Sequence, residues 1–170
     1  MNLLFSIATL GILSVLTLQD FKHRAISWFL IPLLLLSFLI PGMQKLGFHE
    51  FATYTGINLG LLIVNMLGVA AFIALKEKKP VNIIDTYIGL GDLLFFVVLT
   101  TAFSPLNFLA FYIGSITLCC LAYIVLRLAV KQTTPYFPLA GAMSLLLGGL
   151  MIARIWFPEI HFYTDFIFWI

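Results

Sequence analysis

The chain has 170 residues, of which 62% are hydrophobic and only 9% charged, and its mean hydropathy is +1.12. A soluble domain of this size has too few polar residues left over to cover such a surface, so the composition excludes one and points to an all-α, polytopic membrane protein. The net charge of +2 is uninformative by itself, and no nucleic-acid partner is expected.

A hydrocarbon core of about 30 Å calls for roughly 20 helical residues. Six apolar runs approach that length: 2–19, 26–43, 54–75, 86–103, 106–128 and 136–156. The first begins without a basic segment or a small-residue cleavage site and reads as a retained helix. Pro32 and Pro41 fall within the second, where neighbouring helices can re-satisfy the backbone. Asn58 and Asn65 share one face of the third and are candidates for hydrogen bonds across the bundle. Ser104-Pro105 marks a tight turn between the fourth and fifth. The fifth carries Cys119-Cys120, which reads as buried small apolar residues, because adjacent cysteines rarely pair and no C-x-x-C spacing supplies a metal site. The segment after the sixth, 161–170, is too short to span, and its Phe162, Tyr163, Phe166, Phe168 and Trp169 read as an interfacial aromatic anchor. Nothing divides the chain, so 1–170 is expected to be a single membrane-embedded domain.

Lys and Arg orient this bundle. Lys22, Arg24, Lys76, Lys78, Lys79, Arg127 and Lys131 follow runs one, three and five, whereas Lys45 and Arg154 alone fall on the other side. The positive-inside rule makes the first set cytoplasmic and puts both termini outside.

Two acids sit in or against apolar runs, where a charge costs roughly 2.5 to 3.5 kcal/mol on insertion scales and is seldom kept without a use. Asp20 closes the first run, and Asp92 ends Gly89-Leu90-Gly91-Asp92 in the fourth. Asp92 lies seven residues past Asp85, where the preceding loop ends, which predicts a depth of about 10 Å at a helical rise of about 1.5 Å per residue. Both acids thus fall in the cytoplasmic half. Two carboxylates about 3 Å apart cannot both ionise and so share a proton. In such a pair the ionised member takes a proton from water as it attacks a peptide carbonyl, and the protonated member donates to the carbonyl oxygen. Gly89 and Gly91 have two readings: a loosened backbone that receives a substrate strand, or small-residue packing contacts.

The tetrapeptide 89–92 resembles the G-x-G-D signature of intramembrane aspartyl proteases. The segment 20–27, Asp-Phe-Lys-His-Arg-Ala-Ile-Ser, is similar to the other aspartate motif of the type IV prepilin peptidases, and Pro135-Tyr136-Phe137-Pro138-Leu139-Ala140-Gly141-Ala142 is similar to the opening of that family's last helix. The three matches follow the family's order and cover most of the chain. The resemblance implies a bacterial inner-membrane endopeptidase with Asp20 and Asp92 as its catalytic pair. It would remove the basic leader from pilin-like precursors on the cytoplasmic side. Water is the nucleophile in this reading, so no cofactor or metal is expected, and the partners are prepilin-like substrates and the lipid bilayer.

The chain departs from the family at Leu94, where a lysine is common, and at Ser27 and Trp28, where Pro and Asn are common. The cytoplasmic C-x-x-C domain of the larger members is absent from the sequence, so peptidase activity without N-methylation is expected. The presenilin-type branch fits less well, since the third run carries no acid.

The remaining polar residues have simpler readings. Asp85 reads as an acid at a helix start, Lys22-His23-Arg24 as a topology determinant, and Glu77 as a loop charge. The rival from another class is a small transporter or proton-relay component using Asp20 and Asp92. A relay tends to spread ionisable groups across the bilayer, whereas here Arg154 is the only one in the outer halves of the runs.

Overall fold

The computed structural model describes residues 3–78, 88–130 and 137–166. It contains six helices in chain order: α1 (Leu3–His23), α2 (Leu30–Leu46), α3 (Phe48–Glu77), α4 (Leu90–Leu99), α5 (Pro105–Val130) and α6 (Leu139–Trp156). All six expected helices form, and the protein is an all-α, polytopic membrane protein. Four of them, α1, α3, α5 and α6, are long and apolar enough to cross a bilayer. The other two are shorter: α2 has 17 residues and α4 only 10.

The centre of the bundle is the antiparallel pair α1 and α6. Its seam is made of small and hydroxylated residues, which let two backbones approach closely where no water drives them together. Asp20 meets Gly141 at one end, Thr17 and Ser144 share a hydroxyl hydrogen bond of 2.6 Å a turn further on, and Leu10 reaches Gly148 beyond that. Leu13, Leu16, Met143 and Leu147 are fully buried along this seam. Helix α2 packs beside α1 and buries Leu34 and Phe38, and a single residue, Gly47, turns the chain into α3. Its φ of 79° lies where side chains other than glycine are strained.

Helix α4 is much shorter than the apolar run 86–103 predicts. At its start Gly89 is extended, with φ −63° and ψ 143°. At its end the Thr100 and Thr101 hydroxyls bond back to the Val97 and Val98 carbonyls, and the chain tightens into i→i−3 turns. Asn58 of α3 fixes this ending. Its buried Nδ2 donates to the carbonyls of Thr100 at 2.9 Å and Phe103 at 2.8 Å.

Asn65 accepts a hydrogen bond from Tyr112 of α5 at 3.1 Å, so both asparagines of α3 bond across the bundle as expected.

The C-terminal segment corrects an expectation. Phe162 and Tyr163 do not face an interface; they are buried at 2% and 5% exposure. The cause is Asn107 near the start of α5, whose Nδ2 donates to the carbonyls of His161, Phe162 and Thr164 while its Oδ1 accepts from the Phe166 amide. Asp165 caps α5 by accepting from the Leu106 amide. Tyr163 donates to the Phe38 carbonyl, and its hydroxyl lies over Gly42, where a Cβ would come within 3.0 Å of it. Arg154 stacks over Phe162 and Lys45 over Tyr163, so the two cations of this end are spent on the tail. Of the aromatic residues expected to anchor the tail, only Phe166 is exposed among those described; Phe168 and Trp169 lie outside the described residues.

Candidate active site

Asp20 lies in the last turn of α1 and is 7% exposed. Asp92 lies in the first turn of α4. It is therefore at the mouth of a short helix and not two turns along a long one, because the helix begins only at Leu90. Both side chains point to the start of α6. The first turn of any helix leaves its N–H groups without intrahelical partners, and Pro138 has no side-chain cap to offer them. Two consecutive orphans are taken up by the two acids. The Ala140 amide donates to Asp92 Oδ1 at 2.8 Å, and the Gly141 amide donates to Asp20 Oδ2 at 2.5 Å. Consecutive residues have Cα atoms about 3.8 Å apart, so donors this close bring the two carboxylates side by side. The carboxylates lie within range of each other's charge, and Arg24 within range of Asp20.

The glycines of the tetrapeptide owe their place to space. Neither takes a positive φ: Gly89 is ordinarily extended and Gly91 is helical. A Cβ on Gly89 would lie 3.2 Å from Asp92 Oδ2, and one on Gly91 would lie 3.1 Å from Ile26 Cδ1. The unusual backbone angles that glycine permits are thus not used; the close packing is. Ile26 belongs to the loop after α1, which is tied back by a hydrogen bond from the Ser27 amide to Gln19 Oε1 at 3.0 Å. Gly91 therefore joins the two aspartate segments directly.

Asp20 and Asp92 line a cavity of about 810 Å³. Its far walls are Met66 and Val69 of α3 and Ile116, Cys120 and Tyr123 of α5, with Phe137 and Pro138 at the start of α6. The lining is apolar apart from the two acids, Arg24 and a few hydroxyl, amide and thiol groups. Such a space suits an apolar chain whose backbone meets two carboxylates at one point. Comparison with protein-family models, curated proteins and solved structures gave no match.

The sequence places Asp20 and Asp92 in the same half of the membrane without fixing their separation, and the structure brings both to the start of α6, with Gly89 and Gly91 nearby. Ala140 carries no separate sign in the sequence, since its contribution is a backbone N–H. Gly141 was visible only as a letter in the segment 135–142. Arg24, read as a topology charge, also lines the cavity. Cys120, expected to be buried, is exposed on the cavity wall, whereas Cys119 is buried. Leu94 is not among the lining residues, so the departure from the family's lysine falls away from the cavity. Asp85 lies outside the described residues. Among the described residues no cluster of three metal-ligating side chains occurs.

Proposed function

We propose that this protein is a membrane aspartyl endopeptidase of the prepilin-peptidase type, cutting the leader from pilin-like precursors at the cytoplasmic face of a bacterial inner membrane. The observation that carries the proposal is the meeting of Asp20 and Asp92 on consecutive amides of α6 beside an open, largely apolar cavity. A carboxylate pair needs two oxygens near one water and a place for the scissile carbonyl; the anchoring of both acids on α6 and the cavity beside them support this reading. The ionised member accepts a proton from water, whose oxygen attacks the carbonyl carbon. The protonated member donates to the carbonyl oxygen, giving a tetrahedral diol. Collapse of that diol breaks the C–N bond, with the proton returned to the leaving amine.

The apolar walls from α3 and α5 favour a substrate that is itself a hydrophobic helix, frayed where it reaches the acids. Cytoplasmic orientation is favoured by the charges, since Lys22, Arg24, Lys76, Lys78 and Arg127 all lie at the ends of α1, α3 and α5 nearest the acids. In the same orientation both chain termini belong outside.

The test is cleavage of a leader-bearing prepilin by the purified protein in detergent, with Asp20→Asn and Asp92→Asn alongside. Each variant is expected to lose cleavage by about 10³-fold or more, because neither carboxylate can act alone. Full activity in either variant sinks the dyad. A wild-type protein that cuts no precursor sinks the peptidase reading and returns weight to a proton relay through the same two acids.

A further inference from the structure

We propose that the first turn of α6 is the positioning element of the carboxylate pair, with Ala140 and Gly141 as its positioning residues. Their adjacent amides hold Asp92 and Asp20 side by side, and Gly141 is glycine because any side chain there would push Asp20 off its donor. The inference deepens the peptidase reading and rests on it for its catalytic consequence, though the clamp itself is a matter of geometry.

Three observations converge. Both acids spend a carboxylate oxygen on α6, yet they come from different helices, α1 and α4, so α6 is the common reference that fixes their separation. The two donors are free for this purpose because the helix's own ladder starts later, with the Ala142 amide bonded to the Pro138 carbonyl. The third is the identity of residue 141. Glycine is among the poorest helix formers, and Gly141 does not take a positive φ. Space explains it: a Cβ would sit 2.9 Å from both Cβ and Oδ2 of Asp20 and 3.1 Å from Phe21 Cδ2. Gly149, on the same helix, has nothing within 4 Å of its Cβ position and provides the matched comparison.

The clamp also has an electrostatic side. A helix start carries a partial positive charge, and a proton-sharing pair carries one negative charge over two carboxylates. Directing the α6 start at both oxygens spreads that compensation over the pair, in addition to the charge that Arg24 brings near Asp20.

Amide hydrogen exchange of the full chain in detergent, read residue by residue, tests the geometry without reference to activity. In Asp92→Ala the Ala140 amide is expected to exchange about tenfold faster or more, and in Asp20→Ala the Gly141 amide, as befits loss of a hydrogen bond to a charged group. The Leu147 amide, deeper in α6, should keep its protection in both. Unchanged exchange at either first-turn amide overturns the clamp. So does faster exchange that spreads to Leu147, because the acids would then be supporting α6 and not the reverse.

The catalytic arm compares Gly141→Ala with Gly149→Ala on the same precursor. Gly141→Ala should lower kcat about 100-fold with KM moved less than about twofold, since a displacement near 1 Å at reacting groups has that effect. Gly149→Ala should match wild type. A Gly141→Ala protein with wild-type kcat, or one whose defect lies in KM, overturns the positioning role. If wild type itself cuts nothing, the peptidase reading fails while the exchange experiment still judges the clamp.

Discussion

The two ends of this bundle are built from the same helices and behave as opposites. At the end away from the acids, α3 and α5 are locked: Asn58 grips the end of α4, Asn107 grips the tail, and the buried Phe162 and Tyr163 pack against Phe103 and α2. The Tyr112–Asn65 hydrogen bond joins the pair at the edge of the cavity. Beyond it, at the site end, the same two helices stand apart around a cavity of about 810 Å³, with Phe72, Leu75, Ile124 and Leu128 exposed. The difference teaches how a membrane protein can be rigid and accessible at once. Polar clamps close one end, so the other can be left open to an apolar partner without loss of the fold.

Loosening the closed end should therefore affect stability, and altering the open end should not. The largest effect is expected from Asn107→Leu, which removes the amide donor of the His161 and Thr164 carbonyls and the acceptor of the Phe166 amide; unfolding in detergent should lose about 3 kcal/mol. Asn58→Leu leaves the two carbonyls at the end of α4 without their donor and should lose about 2 kcal/mol, with cleavage per folded molecule retained. If either variant melts like wild type, the closed end is not held by its polar clamps. Tyr112→Phe removes only the boundary link and should lose about 0.6 kcal/mol, a typical value for a hydrogen bond between membrane helices. A rise in precursor cleavage by this variant would identify the link as a restraint on the opening. Smallest of all, Leu94→Lys should leave cleavage within about twofold of wild type, since residue 94 is not on the cavity wall. A large gain or loss would return the missing lysine to the site.

Much of this was legible in the residues, and the rest was hidden for identifiable reasons. The order of all six helices follows from apolar runs, and Asp20 and Asp92 stand out because charge in such runs is costly. The late start and early end of α4 were not legible, because an apolar stretch has the same hydropathy whether it is helix or tight turn. Only the partners of Asn58, 42 and 45 residues away, decide where that helix stops. The tail reads as an anchor by composition, since aromatic residues suit an interface and a core equally well. One amide side chain, Asn107, folds it inward, and the carbonyls it holds leave no trace in the sequence. The tetrapeptide glycines were open between loosened backbone and packing, and the distances to Asp92 and Ile26 decide for packing.

The grip on the acids has a consequence for how this protein would look to mutagenesis. Ala140 is already alanine, so an alanine scan skips it, and most replacements there would keep the N–H that Asp92 uses. A position that holds half of the pair would thus pass as silent, while its neighbour Gly141 would register as intolerant of every residue tried. Importance at this helix start is recorded in the main chain, and a map of tolerated side chains would show only its shadow.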